Sequence, residues 1–313
     1  GLGRIYLPTA SYFEMNQWSL PAVKAGLLGK VQRELEDLGK LEIVRPFLQG
    51  GIWKNFLVKY LESNQMHKKM LYLSSRVKQL PESEERDAAQ KLIYKAQTND
   101  AYWHGVFGGL YLPHLRHAVY RYLIKAERCL DAARQREERK LGVNPAGAVR
   151  FEFLDLNMDG REEVLISTPF YTGGLTPSEG GQLFEFSVKS LGYNLLNTLQ
   201  RRFEHYHDQE AEPAVSPLEE EGVATIHARE TQADQQLRKE LAYDWYARRM
   251  FIDHFLGEQI SLNEFANCQY AEQGDFVNQA YQLLAPNPGL NLNHAEKGAG
   301  TICLRRQGGE PGR

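Results

Sequence analysis

The sequence predicts a two-part chain of mixed α and β structure: a helical first half, residues 1–142, and a β-rich second half, residues 143–313. Three observations carry this. Apolar residues recur at helical spacing as far as Leu130, they alternate with period two from residue 149, and the change falls on the breakers Gly142, Asn144, Pro145 and Gly147. With 313 residues, 42% apolar and 25% charged, the chain can form one large domain or two of moderate size.

Ser19 and Pro21 open the first helix, Val23, Leu27, Val31, Leu35 and Leu38 give it an apolar face expected to be core, and Gly39 closes it. Met66, Met70, Leu73 and Val77 repeat at helical spacing after Ser63 and Asn64, so these methionines read as packing. Pro81 opens a helix carrying Ala88, Ala89, Leu92, Ile93 and Ala96. A long helix follows with Leu115, Val119, Tyr122, Leu123, Ala126 and Leu130 on one side, ending in the solvated run RQREERK. Four segments then alternate as strands: VRFEFL (149–154), EVLIST (163–168), LFEFSV (183–188) and RRFEHYH (201–207). The acidic stretch 208–222 reads as a mobile excursion. Leu237, Leu241, Trp245, Arg248, Ile252 and Phe255 suggest a helix across 232–256, and the Gly-rich end shows at most one short strand.

A net charge of −3 gives no electrostatic reason to expect nucleic acid or an anionic membrane as partner. Cys129, Cys268 and Cys303 are odd in number and form no CxxC pair, so neither a disulfide framework nor a zinc site is suggested, and a reducing, cytoplasmic compartment is expected. No apolar run approaches membrane-spanning length. The N-terminus has neither signal-peptide character nor an initiator Met.

Three constellations could carry chemistry. KAQTNDAYWHGVFGGLYLPHLR (95–116) places Asp100, Tyr102, Trp103 and His104 among Gly105, Gly108 and Gly109. A sugar offers C–H bonds on one face and hydroxyls at its rim. An aromatic ring, a carboxylate and a histidine answer those needs, and glycines let the backbone approach or turn with positive φ. Equally, the rings could be core and Asp100 a helix cap. LPTASYFEMNQW (7–18) follows an apparent strand, RIYL, which makes Thr9, Tyr12 and Glu14 ligand-contact candidates. DLNMDGREE (155–163) spaces Asp155, Asn157 and Asp159 as calcium ligands are spaced, with Glu163 and the Arg161 carbonyl closing the site. Ile166 stands at position twelve, so this is no EF-hand, and an Asp-Gly hairpin turn is the competing reading. His205 and His207 would share a strand face, but no third metal ligand is evident. No GxSxG, phosphate loop, GxGxxG or HExxH is present.

From Ile5 to about Tyr281 the chain resembles the glycoside hydrolase family 57 enzymes of the 4-α-glucanotransferase and α-amylase type. The resemblance is carried, in order, by IYLPTASYFEM, GGIWKNFLVKYLESNQMHKKM, KAQTNDAYWHGVFGGLYLPHLR, DLNMDGREE, RRFEHYH, ELAYDW and GDFVNQAY. It implies retaining chemistry on α-1,4-glucans by a seven-stranded (β/α) barrel, completed by a helical segment and followed by a C-terminal antiparallel β-sandwich. It also implies that the nucleophilic Glu and the acid/base Asp lie on barrel segments before the one resembling IYLPTASYFE. Asp100 and Trp103 would then line glucan subsites, with His104 close by, and the chain alone would be inactive. No cofactor is required for that chemistry, although a structural calcium would be compatible with it. The family sandwich runs on the order of a hundred residues beyond GDFVNQAY, a typical domain size. An incomplete sandwich that associates, homo-oligomers included, or expresses poorly is therefore expected. The alternative is a stand-alone carbohydrate-binding or interaction module.

Overall fold

The computed structural model describes residues 13–104, 108–142, 149–207, 240–284 and 302–308. The chain is a helical segment followed by an antiparallel sheet region. It divides into two compact units that interleave along the sequence. One comprises Gly1–Asn64, Tyr102–Tyr111 and Arg202–Leu241, and the other Gln65–Ala101, Leu112–Arg201 and Ala242–Arg313.

The first unit contains the helices α1 (Phe13–Trp18), α2 (Ala22–Asp37), α3 (Leu41–Val44) and α4 (Trp53–Lys59). The expected helix after Pro21 is present, but two of its details differ. Ser19 does not cap it: its hydroxyl donates to the Met15 carbonyl at the end of α1, and Pro21 occupies the cap position without a side-chain bond. Nor is the Val23–Leu27–Leu38 face buried, since these residues are 75%, 51% and 66% exposed. Small residues take the inner side instead. Ala25 is fully buried and its carbonyl accepts from Gln17 Nε2 at 3.3 Å, while Gly26 faces His205 and Gly29 faces Gln17. Gly50 and Gly51 permit a still closer approach, because a Cβ on them would come within 2.2 Å of the Asn16 carbonyl and the Ser19 hydroxyl.

The second unit contains most of α5 (Leu61–Lys78), with α6 (Glu84–Ala96) and α7 (Pro113–Lys140). The anticipated stripe Met66, Met70, Leu73 and Val77 is buried, as are Ala89, Ile93 and Ala96 of α6 and Val119, Leu123 and Ala126 of α7. Helix α6 begins where Ser83 accepts from the Arg86 amide at 3.2 Å, an N-cap that places the start just after Pro81. The strands β1 (Arg150–Leu154), β2 (Glu163–Ser167), β3 (Tyr171–Thr176), β4 (Gln182–Val188) and β5 (Tyr193–Asn194) pair antiparallel in that order. A separate pair joins β6 (Gln282–Leu284) to β7 (Cys303–Arg305).

Two expected elements differ among the described residues. Residues 201–204 are irregular and His205–His207 form a 3₁₀ turn, not a strand. Of the helix expected over 232–256, residues 232–239 lie outside the description and 240–256 are not helical. Met250 instead exchanges both backbone hydrogen bonds with Leu183 at 2.9 and 3.1 Å, and Phe251 has φ 61°, which ends any right-handed turn there. The acidic stretch 208–222 also lies outside the described residues.

Candidate functional site

Helix α4 ends in Lys59 and Tyr60, one turning toward Glu204 and the backbone of Trp18, the other inward. The segment Tyr102–Tyr111 belongs to the same unit and folds back on itself, the Leu110 amide donating to the Trp103 carbonyl at 2.8 Å. Gly108 and Gly109 have φ of 79° and 41°, the positive values anticipated for them; Gly105 is outside the described residues. A third segment, RRFEHYH, delivers Glu204, whose amide donates to His207 Nδ1 at 3.2 Å as the turn closes.

These segments meet around Glu204, which is fully buried. Its Oε1 accepts from the hydroxyls of Tyr60 at 2.5 Å and Tyr111 at 2.8 Å, and its Oε2 accepts from Lys59 Nζ at 2.8 Å. His104 Nε2 lies 2.5 Å from the Tyr60 hydroxyl oxygen. The imidazole is itself fully buried and meets the rings of Trp18 and Tyr60 edge-on at 4.8 Å and that of Tyr111 at 4.9 Å. Burial, then the neighbouring Tyr111 and Glu204, raises the Tyr60 phenol well above its ordinary value, so it keeps its proton. Burial lowers Lys59 against the opposing pull of Glu204. His205, packed 4.9 Å from Trp18, is pushed down to about 4 by burial.

The sequence-predicted contacts are thus distributed unevenly. Trp103 is half-buried and its loop is pinned at both neighbours: Ser63 Oγ donates to the Tyr102 carbonyl, and His104 engages Tyr60. His104 is fully buried, so its ring is an internal anchor of the segment and not a surface group. Asp100 is exposed, in the 3₁₀ turn Asn99–Ala101 of the other unit, and Glu14 is half-buried on α1. Thr9 and Tyr12 lie outside the described residues. Lys59, Tyr60, Tyr111 and Glu204 were missed by sequence reasoning, because a polar network assembled from three distant segments leaves no periodic signal.

In the loop Asp155–Glu162, joining β1 to β2, the acidic oxygens bond to the loop itself. Asp155 accepts from the amides of Asp159 and Gly160 at 3.0 and 2.9 Å, and Glu163 Oε2 accepts from those of Leu156 and Asn157 at 2.8 and 3.1 Å. Asn157 Nδ2 donates to Asp159 Oδ2 at 3.1 Å and to Glu163 Oε1 at 2.9 Å. Among the described residues, no three His, Cys, Asp or Glu side chains converge as metal ligands. Leu154 pairs with Glu163, so the strands are joined by the eight-residue loop 155–162 and not by a tight Asp-Gly turn. His205 and His207 sit on a 3₁₀ turn, so the same-face strand spacing does not apply. No helix among the described residues is long and apolar enough to cross a membrane.

Residues 51–130 match the family description "Alpha-amylase/4-alpha-glucanotransferase, middle domain", and residues 155–309 match its C-terminal domain. The chain belongs to this family. Within it, the chain is 43% identical over 290 residues to the 4-alpha-glucanotransferase of Thermococcus litoralis, covering 93% of this chain and 40% of that protein. It is 42% identical over 294 residues to the alpha-amylase of Pyrococcus furiosus, covering 93% of this chain and 41% of that one. The crystal structure of the Thermococcus litoralis 4-alpha-glucanotransferase superposes with a TM-score of 0.74 at 39% identity, over 97% of this chain and 41% of that chain. The chain therefore spans about 40% of the length of these family relatives. The α-amylase/4-α-glucanotransferase middle domain contains α4 and the Tyr102–Tyr111 segment, while Glu204 falls in the C-terminal match.

Proposed function

We propose that this chain is the middle and C-terminal portion of a retaining enzyme acting on α-1,4-glucans, a 4-α-glucanotransferase or α-amylase. It supplies glucan-contact side chains, Trp103 and Asp100 foremost, and not the carboxylates that cut the chain. The observation that carries this reading is the Trp103 loop, whose residue 103 is half-buried while its neighbours are held by the fully buried side chains of Ser63 and Tyr60. A rigid, partly exposed ring suits the apolar face of a pyranose.

Three buried carboxylates with cationic partners support the second half of the reading, and a fourth, Glu163, is held by the Leu156 and Asn157 amides. Retaining cleavage needs two carboxyl groups roughly 5 Å apart on either side of the scissile bond. Glu204 is occupied by Tyr60, Tyr111 and Lys59, Glu185 by Lys69, and Asp244 by Arg201 and Arg248. Calorimetric titration of the chain with maltoheptaose provides the test. Trp103→Ala should weaken binding about tenfold, the scale of one lost ring contact. Equal affinity in the variant and the parent would rule the platform out.

A further inference from the structure

The anchor beneath Trp103 holds more chemistry than packing requires, and its protons can be assigned. Glu204, paired with Lys59 at 2.8 Å, can only accept hydrogen bonds as a carboxylate. Tyr60 has one hydroxyl proton and lies 2.5 Å from Glu204 Oε1, so that proton points at the carboxylate. The Tyr60 oxygen is then left as an acceptor toward His104 Nε2, 2.5 Å away, and this contact is favourable only if Nε2 carries a proton. The other neutral tautomer would set two lone pairs against each other. The ring or the adjoining Trp103 backbone would then have to shift, within a pocket already filled by Trp18, Phe56 and Tyr111.

We propose that Glu204 is a positioning residue: acting through the Tyr60 hydroxyl, it fixes His104 in the Nε2–H form and thereby sets the conformation of the loop that presents Trp103. The glucan as ligand rests on the functional reading above; the proton arrangement does not. The assignment gives a buried carboxylate a task at a distance. Glu204 is fully buried, yet it determines which edge of His104 donates.

The experiment is a long-range ¹H–¹⁵N correlation on the 313-residue chain with ¹⁵N-labelled histidine, His104 being assigned with His104→Gln. The expected pattern is a protonated Nε2 and a bare Nδ1. Tyr60→Phe keeps the ring and removes only the hydroxyl. It should displace His104 from that pattern and weaken maltoheptaose binding about tenfold, the scale of one buried hydrogen bond to a polar partner. Glu204→Gln should likewise yield mixed tautomers, and Trp103→Ala should weaken binding about tenfold with the His104 pattern unchanged. A wild-type His104 protonated on Nδ1 would overturn the proposal, as would an unchanged pattern in either Tyr60→Phe or Glu204→Gln. If the pattern and its two perturbations appear as expected but the wild-type chain does not bind maltoheptaose, the positioning role stands and the glucan reading falls.

Discussion

Lys69 lies buried on α5 between Glu185 of β4 and Glu127 of α7, the latter at 3.6 Å. Burial alone would lower its pKa, but the two carboxylates outweigh burial and hold it above the ordinary value. Replacing the lysine with a neutral chain of similar length strands two buried carboxylates, so Lys69→Met should cost about 3–5 kcal/mol in urea unfolding. The residue was legible in part, since Lys69 stands three residues after Met66 and four before Leu73, on the stripe read as packing. Its partners were not, being 58 and 116 positions away in the chain. His205 gives a pH signature. Its folded pKa is about 4 against an ordinary 6.5, so between those values the unfolded chain binds the proton and the folded chain does not. The stability it contributes is fully present above about pH 6.5 and is lost as the pH falls toward 4, up to about 3 kcal/mol. His205→Phe should flatten that decline in thermal melts recorded across the same range.

Glycines decide the register of β3. A Cβ on Gly174 would come within 2.5 Å of the Phe184 ring on β4, and the register shifts between Gly174 and Leu175. Gly174→Ala should therefore destabilise the sheet by about 1–3 kcal/mol in denaturant unfolding, an overpacking cost. The same glycines explain why this strand escaped sequence reading. YTGGLT lacks the run of β-branched and aromatic residues by which strands are recognised, because the space belongs to Phe184. Strands β1, β2 and β4 were visible through their alternating segments. Over 240–256, the described part of the helix expected across 232–256, the apolar spacing was real, but the backbone is not helical and Met250 pairs with the β4 backbone instead.

For the whole molecule, periodicity was enough to place the helical part before the sheet part, and the ordered motif stretches were enough to name the family. Exposure was not legible. Val23, Ile43, Phe47 and Val58 are 75%, 73%, 80% and 77% exposed, although a helical stripe predicts burial for the first of them. The chain spans about 40% of its family relatives, and the proposal assigns it glucan contact and assigns bond cleavage to other segments. The most direct measurement is incubation of the purified chain with maltotriose, followed by chromatography of the sugars. The expected result is unchanged maltotriose. Redistribution into shorter and longer maltooligosaccharides, abolished by Asp100→Ala, would contradict the division between gripping and cutting.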